Sequence, residues 1–145
     1  MVRIKNRYIV VEIVPESKQH NVLHYKDHVL SKCILAAVRK YYGAYGLGRV
    51  ELGFCTKYCN ERTKIALIRC SHQSHKFVTS ILPLITTIGD VRAKFHTIYV
   101  GATIINCNKF IVKYQQKCLD RILGQIESAK ERQDTIKRIM EFELN

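Results

Sequence analysis

The sequence predicts an α+β protein in which strands and helices follow in the order β-α-β-β-α-β, with further helices after them. Strand-like segments are rich in β-branched residues or alternate apolar with polar residues, whereas the segments between them repeat apolar residues every three to four positions. This order is that of the split βαβ, ferredoxin-like plan, a four-stranded antiparallel sheet with two helices on one face.

The first strand and the first helix have clear boundaries in the sequence. Tyr8 to Val14 are mostly β-branched and precede Pro15, so they predict a strand. A helix is expected from Asp27, a suitable N-cap, to Gly43, a suitable terminator. Its apolar face comprises Val29, Leu30, Cys33, Ile34, Ala37, Val38 and Tyr41. The YGAYGLG segment after it is expected to be a flexible connection.

Two further strands, a second helix and a fourth strand follow. Residues 50–59 alternate apolar and polar side chains, and KIALIRC is a second strand close behind, so the two predict a hairpin around the turn CNERT. Residues 72–84 predict the second helix, with Pro83 near its end. A basic loop and then the strand FHTIYVGA complete the sheet.

The C-terminal part is expected to be helical. Apolar residues from Cys107 to Ile122 lie on one helical face, and Gly124 is a suitable end for that helix. The last segment has the pattern of a weakly amphipathic helix. We therefore expect a domain over residues 1–126 and a helical extension or tail over residues 127–145.

The charge of the chain points to an anionic partner. Its 145 residues carry 24 Lys and Arg against 12 Asp and Glu, a net charge of +12. Of these, 20 basic and 7 acidic residues lie in residues 1–126. An excess of this size suits a polyanion, because Lys and Arg that neutralise phosphates release condensed counterions. The alternative of a solvated basic surface without a partner stays open.

The sequence argues against secretion and membrane insertion. Glu12 interrupts the apolar run after the basic N-terminus, and no small-residue cleavage site follows. No stretch approaches the ~18 to 20 consecutive apolar residues that span a bilayer. The six cysteines lie in periodic apolar segments, which predicts reduced thiols in a protein kept inside the cell.

Metal-binding motifs are weak. Cys55 and Cys59 lie on a predicted strand, where four residues span ~13 Å, too far for one tetrahedral ion. Cys70, His72 and His75 are closer in sequence but have no second pair at a fixed spacing. We expect no metal bound by the protein and favour the polar start of a helix for this cluster.

No catalytic site is visible either. The carboxylates before residue 127 are scattered, and no glycine-rich phosphate loop precedes a helix in the required order. The predicted strand KIALIRC also lacks the aromatic residues on which many RNA-binding sheets stack bases. If the protein binds RNA, it does so by another route.

The best candidates for that route are two basic segments. Arg3, Lys5 and Arg7 share one side of an extended N-terminal arm. The turn KYCNERTK interleaves cations with hydrogen-bonding side chains that suit phosphates, sugars and base edges. Its candidate RNA-binding residues are Lys57, Tyr58, Asn60, Arg62, Thr63 and Lys64. We expect the arm and this hairpin to form two halves of one surface.

Four segments, in this order and spacing, resemble the Pop-five (processing-of-precursor-five) family of protein subunits of ribonuclease P and ribonuclease MRP. They are MVRIKNRY, GFCTKYCNERTKIALIRC, SILPLIT and TIYVGATIINCNKF, and the resemblance covers roughly residues 1–123. It implies an RRM-like α/β sandwich that binds the ribonuclease P RNA and the MRP RNA. It also implies a TIM-barrel-like protein subunit and other ribonuclease P/MRP proteins as partners.

The resemblance further implies that the RNA, with bound magnesium, is the catalyst, and that the protein itself has no catalytic residue and binds no cofactor. It implies a location in the nucleus and nucleolus. Under this resemblance Arg3, Lys5 and Arg7 are the leading candidates for RNA contact, and the hairpin is the next. Thr103, Asn106 and Lys109 are weaker candidates. Some relatives end in a strongly acidic tail, whereas this chain ends in KERQDTIKRIMEFELN. A basic protein-interaction module of another ribonucleoprotein remains the alternative.

Overall fold

The computed structural model describes residues 3–16, 26–60, 63–89, 91–124 and 129–144. Its strands are β1 (Asn6–Pro15), β2 (Cys55–Asn60), β3 (Ile65–Ser71), β4 (Thr87–Ile88) and β5 (Val91–Gly101). Its helices are α1 (Asp27–Glu51), α2 (His75–Ile81), which a 3₁₀ turn (Leu82–Leu84) follows, α3 (Ile104–Gly124) and α4 (Ala129–Leu144). The α+β class is confirmed.

The strands form one antiparallel sheet in the order β2-β3-β1-β5-β4. β1 lies between β3, with register Asn6–Ser71 to Glu12–Ile65, and β5, with register Tyr8–Gly101 to Pro15–Ala93. The sheet therefore has five strands, not the predicted four. The added strand, β4, is two residues long and pairs with the start of β5. Two residues are too few to show an alternating pattern, so no strand was predicted there. The basic loop expected before the strand FHTIYVGA is also wrong in part, because β5 already begins at Val91.

The core lies on the side of the sheet that faces α1 and α2. Ile9, Val11 and Ile13 alternate along β1 and belong to one buried cluster with Leu30 and other residues of α1. The predicted apolar face of the first helix is confirmed by Leu30, Ile34 and Val38, each 0% exposed. Tyr41 is the exception, because 47% of it is exposed.

The strand β3 is buried on both faces. Ala66 and Ile68 belong to the core cluster on one face of the sheet. Alternation places Ile65 and Leu67 on the other face of the strand, and both are buried as well. Burial of both faces explains why this segment is a nearly continuous apolar run in the sequence rather than an alternating one.

Helix α1 is longer than predicted, and the expected flexible connection after Gly43 is wrong. Gly43 has φ 71° and ψ −165°, which kinks the chain, but the helix continues to Glu51. Gly46 and Val50 are buried in this second part, and a Cβ at Gly46 would clash with the Tyr42 Cβ. Burial of this segment therefore outweighs the helix-ending tendency of glycine. The next strand begins at Cys55 instead of residue 50.

Two helix starts also differ from the prediction. Asp27 is the first residue of α1 rather than its cap, since Lys26 is the N-cap and makes no side-chain capping bond. The helix α2 starts at His75 because residues 72–74 form a turn in which the Ser74 N–H donates to the Ser71 carbonyl, 3.1 Å away.

The chain divides into two compact units, Met1–Asn108 and Lys109–Asn145. The predicted division at residues 126 and 127 stays a prediction. In the second unit, Phe110 stacks on Tyr114 with ring centroids 6.2 Å apart, and Gln116 Nε2 donates to Asp120 Oδ1 at 3.3 Å. None of the described helices combines the length and apolarity needed to cross a membrane.

Candidate nucleic-acid interface

The N-terminal arm, residues 3–5, precedes the sheet as irregular backbone. Arg3 and Lys5 are exposed, and the carbonyl of Lys5 accepts a hydrogen bond of 2.8 Å from the His72 N–H. The ladder with β3 begins only at Asn6, because β3 ends opposite it at Ser71. The alternating pattern therefore does not place all three basic residues on one strand. The side chains of Arg3 and Lys5 are accessible to a ligand.

Arg7 differs from the other two cations because it lies within β1 and is half-buried. Its Nη1 donates to the carbonyl of Asn6 at 3.1 Å. Its own carbonyl accepts a weak bond of 3.8 Å from Cys70 Sγ. Burial raises the pKa of Cys70 to about 12, and the positive charge of Arg7 opposes that shift. Arg7 thus stands at the margin of the core and has a structural role besides any contact with a ligand.

The hairpin turn is shaped by two of the residues predicted to bind. Asn60 Oδ1 accepts from the Thr63 N–H at 3.3 Å, and the Asn60 carbonyl accepts from the Lys64 N–H at 2.9 Å. Lys64 has φ 61°, a left-handed conformation uncommon outside glycine. The carbonyl of Lys64 also accepts from the Ile13 N–H at 2.8 Å, which ties the turn to β1. Thr63 is exposed, and Arg62 lies outside the described residues.

Lys57 and Tyr58 precede this turn on β2. The register between β2 and β3 shifts between Thr56 and Tyr58, so Lys57 is the extra residue of a bulge, and it is exposed. Bulges commonly re-aim side chains next to functional sites. Tyr58 is half-buried, and burial, followed by the charge of a Cys107 thiolate, raises its pKa. We expect Lys57 to reach a ligand more readily than Tyr58.

The structure does not bring the arm and the hairpin turn together. Lys5 is held opposite His72, at the end of β3, whereas Lys64 is held opposite Ile13, at its start. The eight residue-to-residue steps from Lys5 to Ile13 span roughly 25 Å at the usual rise of about 3.3 Å per residue. The arm and the turn residues Asn60 and Lys64 therefore lie at opposite ends of β1, and they form separate basic regions. Lys57 and Tyr58 lie between the two, at the level of the middle of β1.

The weaker candidates lie near the start of α3. Thr103 Oγ1 accepts from the Asn106 N–H at 3.3 Å, the geometry of a helix N-cap. Thr103 therefore has a structural role at this helix start. Asn106 and Lys109 are both exposed.

The cysteines and histidines do not assemble into a donor set in the described part of the chain. All six cysteines are free thiols. Cys59 packs against the core cluster. Cys55 lies opposite Arg69 of β3, on the other face of the sheet. The His72 and His75 rings are 5.5 Å apart, and His75 Nδ1 lies 2.6 Å from the His72 carbonyl. Among the described residues, no three His, Cys, Asp or Glu side chains are grouped to hold a metal ion.

Sequence reasoning missed a region of exposed tyrosines and cations on α1. Tyr45 is 72% exposed, and the Arg49 guanidinium lies 5.9 Å from its ring centroid. The Lys40 ammonium lies 5.5 Å from the ring centroid of Tyr41. The signal was present as RKYYGAYGLGR, in which basic and aromatic residues are interleaved. It was obscured because Tyr41 fits the apolar period and the glycines predict a loop.

These features define a basic α+β protein whose sheet presents cations at its margins. The chain belongs to the Rpp14/Pop5 family, whose family model matches residues 7–112. It is 35% identical over 151 aligned positions to the ribonuclease P/MRP protein subunit POP5 of Danio rerio, covering 100% of this chain and 89% of that protein. It is 32% identical to the POP5 subunit of Homo sapiens, covering 96% and 87% of the two chains.

A solved structure shows the same fold. The chain matches a chain of the cryo-EM structure of yeast ribonuclease MRP with a TM-score of 0.56 and 13% sequence identity. The match covers 99% of this chain and 94% of that chain. The family resemblance seen in the sequence is confirmed by the family model and the relatives.

Proposed function

We propose that this protein is the Pop5-type subunit of ribonuclease P and ribonuclease MRP, and that it binds and stabilises their RNA. The observation that carries the proposal is its membership of the Rpp14/Pop5 family, together with relatives named as ribonuclease P/MRP subunits that match nearly the whole chain. The net charge of +12 supports it, because a protein that holds a folded RNA must offset phosphate charge.

The proposed mechanism is electrostatic and positional. Arg3 and Lys5 lie exposed at one end of β1, and Thr63 lies exposed in the hairpin turn near the other end. Lys57 is exposed on β2 between them. Contacts roughly 25 Å apart would bridge two RNA segments rather than grip one, since that spacing exceeds the width of a single groove. Cations at both contacts would screen the repulsion between the two segments. The protein would thereby favour a compact RNA.

In this proposal the RNA performs the chemistry. The RNA, with magnesium bound to it, would remove the 5′ leader of precursor tRNA and process ribosomal RNA, and the protein would supply no catalytic residue and no cofactor. The proposed protein partners are a TIM-barrel-like subunit and other proteins of the two particles, in the nucleus and nucleolus. The finer fold proposal is an RRM-like core of β2-β3-β1-β5 with β4 as an added edge strand, which the strand order supports.

The test is to recover the tagged full-length protein from its own cells and to sequence the RNAs and identify the proteins that accompany it. We expect the ribonuclease P RNA, the MRP RNA, or both, with a TIM-barrel-like protein. Recovery of neither RNA would overturn the proposal. Retention of the protein partners after complete nuclease digestion, with no RNA recovered beforehand, would favour a protein-interaction module instead.

A further inference from the structure

A groove of about 530 Å³ lies between α1 and the segment 84–89. One wall is formed by α1 residues that include His28, Lys32, Lys40 and Tyr41, and the other by residues of the segment 84–89. Its volume lies within the range of about 300 to 1,000 Å³ typical of small-ligand sites. None of its lining residues was among the candidates that the sequence provided.

The groove carries positive charge. His28, Lys32 and Lys40 are exposed along it, and none of the lining residues has a carboxylate. Cys33 also lines it, but its Sγ donates to the Thr87 carbonyl at 3.2 Å, and burial raises the pKa of the thiol. Cys33 therefore stays neutral near pH 7. Such a concave cationic surface concentrates anionic ligands.

The groove also offers an aromatic surface. Tyr41 is 47% exposed and has the Lys40 ammonium 5.5 Å from its ring centroid. Its neighbour Tyr42 is engaged in packing instead, since its ring meets Phe77 edge-on at 4.8 Å and its hydroxyl lies 2.6 Å from Ser80 Oγ. Tyr42 is 40% exposed, so the two tyrosines differ in their contacts more than in exposure, and of the two Tyr41 alone lines the groove.

The remaining surface of the groove leaves room for a flat ligand. Ala36 and Ala37 line it with short side chains. Lys32 and Lys40 are eight residues apart on α1, about 12 Å along a helix axis. Both lysines precede Tyr41 on α1, so a planar group on the Tyr41 ring would have Lys40 beside it and Lys32 farther along the same groove. A short single strand has this combination of an aromatic base and phosphates that follow it along the backbone.

We propose that this groove binds a short segment of single-stranded RNA, with an unpaired base stacked on Tyr41 and the phosphates on one side of that base on Lys40 and Lys32. The inference rests on the proposed function in that the ligand is RNA. It adds a third contact region, distinct from the arm and the hairpin, and a base-stacking mode in place of the one that the sheet lacks.

The first experiment measures binding of a fluorescein-labelled octauridylate to the full-length protein. Tyr41→Ala should weaken binding by roughly 5- to 100-fold, the usual effect of losing one base stack. Tyr41→Phe keeps the ring and should stay within about twofold of the parent. Leu52→Ala removes an apolar side chain that is 76% exposed just after the same helix and does not line the groove, and should leave binding unchanged. Thermal unfolding of each variant separates a folding defect from a binding defect.

The second experiment tests the phosphates. Lys32→Gln and Lys40→Gln should each flatten the log–log dependence of affinity on salt by roughly 0.7, the value for one single-strand phosphate contact. Crosslinking with a 4-thiouridine octanucleotide should label a peptide that contains Tyr41. Equal binding by Tyr41→Ala and the parent, unchanged salt slopes, or crosslinks confined to other segments would overturn the groove assignment.

Failure of this inference can be told apart from failure of the proposed function. If the protein recovers ribonuclease P or MRP RNA from cells but the groove variants bind octauridylate normally, only the groove assignment falls. If it recovers neither RNA but Tyr41→Ala abolishes octauridylate binding, only the assignment to ribonuclease P and MRP is contradicted. Loss of a protein subunit from the particle in Tyr41→Ala, with octauridylate binding intact, would identify a protein-docking groove and overturn the inference.

Discussion

The two ends of β1 present cations in different ways. At the start of the strand, Arg3 and Lys5 extend from irregular backbone that one hydrogen bond, from His72 to the Lys5 carbonyl, attaches to the sheet. At the other end, the hairpin turn is held by the bonds around Asn60 and by the bond from Ile13 to Lys64. Three hydrogen bonds thus hold the described backbone of the turn, whereas this one bond holds that of the arm, so we expect the arm to lose more conformational freedom on binding.

This difference matters for affinity because ordering costs free energy. Fixing the backbone of one residue costs about 1 to 2 kcal/mol, so the arm loses part of its interaction energy on binding RNA. The arm also adapts more easily to the shape of its ligand. We therefore expect the arm to contribute mainly nonspecific phosphate contacts and the turn to contribute a fixed position.

The largest effect should be on the stability of the fold, from the core residues of β3, which pairs with β1 between the arm and the hairpin turn. Ile68 is 0% exposed and lies in the core cluster on β3, so Ile68→Ala should lower the free energy of unfolding by about 2 to 5 kcal/mol. Urea denaturation measures it. Ile4→Ala makes the same side-chain change in the arm at a position 82% exposed, and should stay within about 0.5 kcal/mol of the parent. Equal losses at both positions would contradict the contrast between an ordered core and a loose arm.

The next largest effect should be on RNA affinity. Changing Arg3, Lys5 and Arg7 together to Ala should weaken binding of the ribonuclease P RNA by roughly ten- to a hundredfold near physiological salt. The log–log salt slope should flatten by about 0.7 to 0.9 for every phosphate that these side chains neutralise in the parent protein. A triple change of Lys113, Lys117 and Arg121 to Ala removes the same charge from the exposed face of α3. If both triple variants behave alike, the arm has no special role and only net charge matters.

Cys70, which pairs with Arg7 at the arm end of β1, should make the fold less stable at alkaline pH. Burial raises the pKa of Cys70 from 9.0 to about 12, so above pH 9 the thiol ionises in the unfolded chain before it does in the folded one. Stability is complete below pH 9 and falls as the pH rises toward 12, by up to about 1.4 kcal/mol per pH unit. Cys70→Ala and Cys70→Ser should both flatten this slope, whatever their stability at pH 7. A slope unchanged in both variants would exclude Cys70 as its source.

The smallest effect tests the strain in the turn. Lys64 has φ 61°, so Lys64→Gly should raise the free energy of unfolding by up to about 1 kcal/mol. Thr63→Gly changes the adjacent residue, whose φ is not positive, and should give no gain. If the turn contacts RNA, Lys64→Gly should weaken RNA binding while it stabilises the fold. A variant that gains stability and keeps full affinity would assign Lys64 a purely structural role.

Much of the fold was predictable because local patterns report local structure. The positions of Leu30, Ile34 and Val38 identified the buried side of α1, and the apolar run at residues 65–68 identified the second strand of the hairpin. The strand β4 and the second part of α1 were not predictable in this way. β4 is too short to have a period, and the residues after Gly43 remain helical only because burial of Gly46 and Val50 stabilises them.

The candidate site was predicted in its residue types but not in its arrangement. The exposed cations Arg3, Lys5 and Lys57 were found from the sequence. The structural roles of Arg7 and Asn60 were not, because those roles depend on Cys70 and on the turn geometry. Nor could the sequence distinguish Tyr41 from Tyr42, since only the packing of α2 against α1 brings the Tyr42 ring to Phe77 and its hydroxyl to Ser80.

The sequence by itself determined the charge of the protein, the apolar faces of its helices and strands, and its family. These properties depend on residue identity and on spacing along the chain. The tertiary structure decided the distances between the basic regions. The antiparallel register of β1 with β3 places the arm and the hairpin turn at opposite ends of one strand. The packing of α1 beside the segment 84–89 forms the groove, because only folding brings segments that are far apart in the chain into contact.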